Sequence, residues 1–470
     1  MLFNSMQFAV FLPIVFFLYW GISDKYQWLV ILLASCIFYM SWNPRYIILI
    51  GCTVFSTYCC ALLIEKRRKQ KKIFLVVCVI VCMGLLLYFK YFEMLEKTIS
   101  SIFHEKSFEY GKIILPVGIS FYTFQTMSYC IDVYNERIKP ERHFGIFSSF
   151  VLFFPQLVAG PIERADHLLP QIKEKHKFDY EQVKYGLKLM TWGFFKKLVI
   201  ADNLARHVDI VYSDVHAFKG FALISATVLF AVQIYCDFSG YSDIAIGTAD
   251  LFGVQLIKNF NAPYLASSLK EFWTRWHISL STWFRDYVYI PLGGNRRGRL
   301  RKGLNLIITF LVSGLWHGAN WTFAIWGLLH GVIQLFENLI KPFRSEKKDH
   351  EILSITLTFI LVCCCWVFFR ANSINDAVYV FQHSFDGIQH LGSYLLKGYR
   401  DIQMTKMRTV KYLVAVIVLF LFDYYSLKID VIEKISEFPR KTRWIIYYTL
   451  IIFILTVGNF GSNQFVYFQF

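Results

Sequence analysis

Asn305-Leu-Ile-Ile-Thr-Phe-Leu-Val-Ser-Gly-Leu-Trp316 is an apolar run that stops on His317-Gly318, and a second run, Trp321 to Ile340, follows at once. Basic residues flank the pair on both outer sides: Arg296, Arg297, Arg299, Arg301 and Lys302 before it, Lys341, Arg344, Lys347 and Lys348 after it. Both outer ends therefore belong on the cytoplasmic face. The first arm holds 13 or 14 helical residues, a rise of roughly 20 Å against a hydrocarbon core of ~30 Å, too short to cross. The chain is thus expected to enter the bilayer, turn near Gly318-Ala319-Asn320 and return. His317 is left inside the membrane, and an ionisable group at that depth marks a functional site.

The rest of the chain supports a membrane setting. Of 470 residues, 56% are hydrophobic and 19% aromatic, including 47 Phe and 28 Tyr, and the mean hydropathy is +0.43. So much apolar surface excludes an ordinary soluble domain. The net charge of +16 lies in short loops between apolar runs, so topology and anionic headgroups account for it and nucleic acid does not. The cysteines have no metal or disulfide spacing; Cys59-Cys60 and Cys363-Cys364-Cys365 lie in apolar runs and act as small hydrophobes. Nothing basic precedes Lys25, so the first apolar stretch reads as a retained membrane helix and not as a signal peptide.

Apolar runs at 8–22, 26–42, 46–64 and 73–92 read as four spans. The loop Glu65-Lys-Arg-Arg-Lys-Gln-Lys-Lys72 carries six positive charges, which places it in the cytoplasm and the N-terminus outside. The run 111–133 returns inward. Phe144 to Ile162 is broken by Pro155 and Gly160-Pro161 and reads as re-entrant, which is allowed where protein or a water-filled cavity covers it. Spans near 190–213 and 219–237, a segment at 241–257, interfacial helices over 258–302 and spans at 351–370, 410–427 and 444–459 complete the chain. By parity, the C-terminus is extracytoplasmic. The expected fold is an all-α polytopic membrane protein of about ten spans plus re-entrant and interfacial helices. It is one membrane domain, 1–470, with N-terminal spans (1–110), a re-entrant core (111–340) and C-terminal spans with an extracytoplasmic tail (341–470).

A second histidine lies in Glu271-Phe-Trp-Thr-Arg-Trp-His-Ile-Ser-Leu-Ser-Thr-Trp-Phe-Arg-Asp286. At helical spacing Trp273, Trp276, His277, Leu280 and Phe284 share one face. Two readings stand: an amphipathic interfacial helix with a satisfied histidine, or a second imidazole for chemistry. Gln125, Gln156, Asp237, Tyr241 and Asp243 are further polar groups in apolar context; Asp237 and Asp243 bracket Gly240 and are expected at a span end or beside a cavity. They serve either helix-to-helix hydrogen bonding or a polar tunnel. No phosphate-binding Gly-rich loop, His-Glu-x-x-His, Cys-x-x-Cys or Gly-x-Ser-x-Gly occurs, which argues against nucleotide hydrolysis, a protein-bound metal and a nucleophile elbow. The chemistry left to a buried neutral imidazole is to take a proton from a hydroxyl as it attacks a carbonyl. An already activated thioester suits it, because no further ATP is needed.

Arg275-Trp276-His277-Ile-Ser-Leu-Ser281, Gly314-Leu-Trp316-His317-Gly318-Ala-Asn320-Trp321-Thr322 and Phe369-Arg370-Ala371 resemble the membrane-bound O-acyltransferases, in the bacterial branch that acetylates alginate. Lesser matches are Gln156 to Arg164, Cys236 to Asp243 and Tyr289 to Gly294. The resemblance implies a ring of helices around a thin core with a tunnel, His317 as the catalytic intramembrane histidine and His277 as its cytoplasm-facing companion. Trp276, Ser279, Trp316, Asn320, Asp237, Tyr241 and Gln125 are the candidates for support or tunnel lining. It implies acetyl-CoA as donor substrate, no bound cofactor or metal, an outward-facing acetyltransferase partner and a secreted polysaccharide acceptor, at the bacterial cytoplasmic membrane. The last residues, Phe465-Val-Tyr-Phe-Gln-Phe470, resemble a C-terminal motif of this branch, so Tyr467 is either an acyl relay or an aromatic interfacial anchor. Two alternatives accompany the acetylation reading. One is D-alanyl transfer to teichoic acid from a carrier-protein thioester. The other is a lipid or polysaccharide transporter without chemistry.

Overall fold

A computed structural model describes residues 1–103, 115–158, 160–296, 298–340 and 351–460. Among them the regular structure is entirely helical. Contacts gather the chain into two compact units: Met1–Met190 with Tyr241–Ile257, and Thr191–Gly240 with Lys258–Phe470.

In the first unit, α1 (Met6–Gly21), α2 (Gln27–Met40) and α3 (Tyr46–Lys66) are followed by one rod, in which a π turn at Leu87–Tyr91 joins α4 (Lys71–Leu86) to α5 (Phe92–Phe103). The apolar run marks a span at 73–92 only; helix-forming residues carry the rod on to Phe103. Then come α6 (Ile119–Tyr134), α7 (Phe144–Leu152), α8 (Phe154–Leu157) and α9 (Ala165–Lys173). The break expected near Pro155 falls at Phe153 (φ −46°, ψ 103°), and the whole of α8 is buried. Gln125 and Gln156 both donate through Nε2 to the carbonyl of Phe150, at 3.1 Å each. They satisfy an acceptor that the interrupted helix leaves exposed.

Helix α10 (Tyr180–Phe194) runs through a π turn, Phe195–Ala201, into α11 (Asp202–Tyr212). Helix α12 spans Phe221–Asp250 without interruption. This corrects the expectation of separate segments at 219–237 and 241–257: Gly240 does not end a helix. It permits close packing instead, because a Cβ there would collide with the Gly193 carbonyl.

The second unit continues with two seven-residue helices, α13 (Leu269–Arg275) and α14 (Ile278–Phe284), then α15 (Gly298–His317) and α16 (Trp321–Ile340). The single amphipathic helix expected across 271–286 is therefore two, broken at Trp276 and His277. The hairpin is confirmed in its turn but not in its first arm. Helix α15 has 20 residues, because the basic stretch from Gly298 joins the helix ahead of Asn305. The hairpin packs tightly because a Cβ at Gly314 would strike the Phe323 carbonyl and one at Gly327 the Phe310 carbonyl. Arg297, Lys341, Arg344, Lys347 and Lys348 lie outside the described residues. Helices α17 (Glu351–Arg370), α18 (Ile374–His383), α19 (Leu391–Asp401), α20 (Lys406–Ser426), α21 (Val431–Ser436) and α22 (Arg440–Val457) follow.

Among the described residues, five helical stretches are long and apolar enough to cross a membrane unaided: Tyr46–Lys66, Arg68–Phe103, Phe221–Asp250, Glu351–Arg370 and Lys406–Ser426. Among these, the apolar window of Phe221–Asp250 is 72% buried against 17% for Arg68–Phe103 and Lys406–Ser426. The first is therefore a core element, and the other two present apolar side chains outward, as lipid-facing helices do. Helices α1 and α2, with 16 and 14 residues, fall short of a full crossing.

Candidate active site

Helix α13 is capped at its start by Ser268, whose Oγ accepts the Glu271 N–H at 3.1 Å. The Glu337 carboxylate of α16 accepts the Leu269 and Lys270 N–H groups at 2.7 and 3.2 Å. The helix stops after Arg275. Trp276 is extended, and His277 is left-handed (φ 44°, ψ 55°), a conformation that disfavours residues with a Cβ.

Asn259 holds this strained turn. Its carbonyl accepts the Ile278 N–H at 2.9 Å. Its Oδ1 accepts the Ser279 N–H at 3.2 Å, the Ser279 hydroxyl at 2.9 Å and His277 Nδ1 at 3.2 Å. The Ser279 backbone donor fixes which end of the amide is oxygen, so Nδ1 of His277 carries its proton and Nε2 is the basic nitrogen. His277 is fully buried, with Phe238 edge-on at 4.6 Å. Burial pushes its pKa down to about 3, so the ring is neutral at physiological pH.

His317 ends α15 and is buried in an aromatic cage. Its ring centroid lies 4.9 Å from Trp316, 5.0 Å from Trp326, 5.5 Å from Phe369 and 6.5 Å from His277. Trp316 also meets His277 edge-on at 6.2 Å. Two imidazoles, one at the end of α15 and one in the turn between α13 and α14, thus share one buried aromatic chamber.

Of the other predicted residues, Trp276, Ser279 and Trp316 are part of this chamber or its support. Trp276 packs on Trp366, Phe260 and Phe272 at 5.1 to 5.5 Å. Asn320 braces the hairpin turn. Its Oδ1 accepts the Thr322 N–H at the start of α16, and its Nδ2 donates to the Asn372 carbonyl. Asp237 is not at a span end. It lies inside α12, 1% exposed, and accepts from Lys197 Nζ at 2.6 Å. Gln125 and Tyr241 belong to the first unit, where Gln125 braces α7 and Tyr241 stacks on Phe3 at 4.5 Å. Tyr467 lies outside the described residues.

Sequence reasoning missed Asn259, because nothing local marks a side chain that acts 18 residues away. It also missed the buried cluster at the π turn. Lys197 pairs with Asp202 at 2.8 Å as well as with Asp237, and Lys196 donates to the Ser239 hydroxyl at 3.0 Å. Two consecutive lysines in an apolar run are the signal that could have exposed it. Arg370 of the Phe369-Arg370-Ala371 motif pairs with Asp209 at 2.6 Å, while Phe369 walls His317.

A cavity of about 520 Å³ opens between α13, α14, α15 and α16. Trp273, Phe284, Leu306 and Phe310 supply apolar wall, Ser281, Thr309 and Ser313 supply hydroxyls, and Lys270, Arg285 (paired with Asp286) and Lys302 supply positive charge; among the described residues no carboxylate lines it. Ile278, the chain neighbour of His277, and Ser313, one turn before His317, line it, whereas neither imidazole is among its lining residues. Among the described residues no three His, Cys, Asp or Glu side chains gather as a metal site.

A membrane protein, all-helical among its described residues, with neighbouring buried imidazoles and a cationic cavity between the helices that flank them, has the parts of a membrane-embedded acyl-transfer enzyme. Residues 141–375 match the model of the MBOAT, membrane-bound O-acyltransferase family. The chain is 37% identical over 430 residues to the probable alginate O-acetylase of Azotobacter vinelandii, covering 90% of this chain and 85% of that protein. It is 36% identical over 421 residues to the peptidoglycan O-acetyltransferase of Helicobacter pylori, covering 81% and 79%. To the teichoic acid D-alanyltransferase of Bacillus subtilis it is 28% identical over 276 residues, covering 55% and 69%. The chain belongs to the membrane-bound O-acyltransferase family. It is a multi-pass membrane O-acyltransferase, which sets aside the reading as a transporter without chemistry.

Proposed function

We propose that this enzyme moves an acetyl group from a cytoplasmic thioester, acetyl-CoA, to an extracytoplasmic polysaccharide of the cell envelope, as an alginate-like exopolysaccharide acetylase does. The observation that carries the reading is the contact of His277 and His317 in one buried aromatic chamber. His317 Nε2 or Nδ1 takes the proton of the acceptor hydroxyl as its oxygen attacks the thioester carbonyl. The C–O bond forms, the C–S bond breaks, and the thiolate leaves with a proton returned by the imidazolium. His277, with its Nδ1 hydrogen held by Asn259, presents Nε2 as an acceptor to an amide N–H of the donor's arm and so positions the thioester. The cavity between α13, α14, α15 and α16 takes the pantetheine arm, and Lys270, Arg285 and Lys302 take the phosphates of coenzyme A.

In this reading about ten spans and re-entrant pieces enclose a tunnel in the cytoplasmic membrane, and both termini are extracytoplasmic. Tyr467 receives the acetyl group and passes it to an outward-facing acetyltransferase partner. The decisive experiment is His317→Ala at unchanged membrane protein level, with polymer O-acetylation measured in cells. Loss of acetylation is expected, and normal acetylation rejects the catalytic role. Tyr467→Phe is expected to abolish transfer while preserving folding; retained transfer leaves only the anchor role. D-alanyl transfer from a carrier protein is the second reading, favoured by the Bacillus subtilis relative. It predicts D-alanine, not acetate, in the product released from polymer by mild base.

A further inference from the structure

A third histidine lies in the same region and has no part in the chemistry above. His330 of α16 is fully buried. Its Nδ1 accepts the indole N–H of Trp273 at 3.3 Å. An accepting Nδ1 is deprotonated, so Nε2 carries the hydrogen; no described group bonds to Nε2. The ring also touches Trp326 at 4.8 Å, and Phe310 stacks against it at 6.2 Å.

These contacts place His330 between two working parts. Trp273 lies in α13, four residues before His277, and lines the cavity with Phe310. Trp326 stands edge-on to His317 at 5.0 Å. Seven residues further along α16, on the same face, Glu337 holds the first turn of α13. Helix α13 is therefore attached to α16 at two points two turns apart. One is a backbone cap, and the other is a directional bond from a side chain that forms the cavity wall.

We propose that His330 is a positioning residue for acyl transfer: through Trp273 and Trp326 it sets the spacing between the cavity, His277 and His317. The inference rests on the assignment of His317 as the base. It needs an acceptor at the Nδ1 position, and it does not need titration of the ring. Asparagine can place Oδ1 where Nδ1 stands; glutamine places its oxygen further out, and leucine supplies none.

The test compares His330→Asn, His330→Gln and His330→Leu in membrane vesicles given radiolabelled acetyl-CoA, with label counted in envelope polysaccharide at equal enzyme level. Leu and Gln are expected to lower kcat by on the order of tenfold or more with little change in KM, and Asn to stay within about threefold of the parent. An Asn variant no better than Leu, or a Leu variant as active as the parent, overturns the proposal. Should His330→Leu fail to accumulate, Trp273→Phe keeps the ring stack and removes only the N–H. It is expected to lower kcat by on the order of tenfold, and adding His330→Asn to it should bring no recovery; parental kcat in Trp273→Phe overturns the proposal. His317→Ala serves as the control. If it is inactive while the His330 variants are normal, only the positioning role falls; if it is active, the functional reading falls first.

Discussion

The rings of His277 and His317 are 6.5 Å apart between centroids, and Trp316 packs against both. At this spacing one reacting thioester can lie within reach of both rings. The two residues reach this arrangement differently. His317 arrives at the end of a regular helix whose partner helix approaches closely at Gly314 and Gly327. His277 arrives in a left-handed turn that Asn259 secures. The first depends on helix packing, and the second on a polar clamp.

Substitution of His277 must respect that backbone. His277 already bears the left-handed cost of roughly 1 kcal/mol, so His277→Ala keeps that strain while removing the ring and its bond to Asn259. Asparagine tolerates the conformation. His277→Asn is expected to accumulate at the parental level and melt within a few degrees of it, yet to transfer acetyl at least about tenfold more slowly. Thermal melting in detergent and a transfer assay check this. Parental transfer by a well-folded Asn variant would reduce His277 to a structural residue.

Stability should fall on mild acidification because of the same ring. Burial depresses the pKa of folded His277 to about 3, below its ordinary value of 6.5. Between these values the unfolded chain takes up a proton that the folded chain refuses. The contribution is fully present above about pH 6.5 and is lost as pH falls toward 3, by at most ~1.4 kcal/mol per pH unit. Melting temperatures from pH 7.5 to 4.5 should therefore decline, and less steeply in His277→Asn. Equal slopes in the two proteins would show that the ring is not desolvated.

What can be read from sequence follows a physical division. The membrane class, the hairpin turn at Gly318 and the burial of His277 and His317 follow from local composition and charge, which sequence displays directly. Helical spacing assigns Trp273, Leu280 and Phe284 to a buried face, and they are buried although the helix expected to align them breaks at Trp276. That break is hidden because its cause, Asn259, acts through space. Gly240 misleads for a related reason: glycine ends helices and also lets them touch, and only the presence of Gly193 opposite distinguishes the two roles. Asp237 and the pair Lys196-Lys197 each stand out as charged groups in apolar runs, but their partnership does not, since no residue spacing links position 197 to 237.

Lys197 is expected to be the least replaceable of those partners. It is 4% exposed and is bonded to both Asp202 and Asp237. Lys197→Met leaves two carboxylates facing each other in an apolar setting, and breaking a buried pair in this way costs ~3–5 kcal/mol. The variant should be degraded or should melt far below the parent. Adding Asp202→Asn and Asp237→Asn removes the stranded charges and should restore most of the protein level on immunoblots of membranes. If the triple variant is no better than Lys197→Met alone, charge balance is not what the cluster contributes.

The cavity makes the most specific statement about the donor. Its lining holds Lys270, Arg285 and Lys302, of which Arg285 is also paired through Nε with Asp286 at 2.8 Å; the net positive charge suits anionic groups, and the hydroxyls and aromatic walls suit an uncharged arm. Arg285→Gln with Lys302→Gln should raise KM for acetyl-CoA about tenfold or more while leaving kcat within about twofold, since a hydrogen bond to a charged group contributes ~1.5–3 kcal/mol. S-acetyl-pantetheine has the same arm and no phosphate. With it the parent enzyme should already show the raised KM, and the double variant should add little to it. If instead the double variant weakens both donors equally, the two cations shape the cavity without binding phosphate. If it weakens neither, the donor enters by another route, and the cavity between α13, α14, α15 and α16 is not its path.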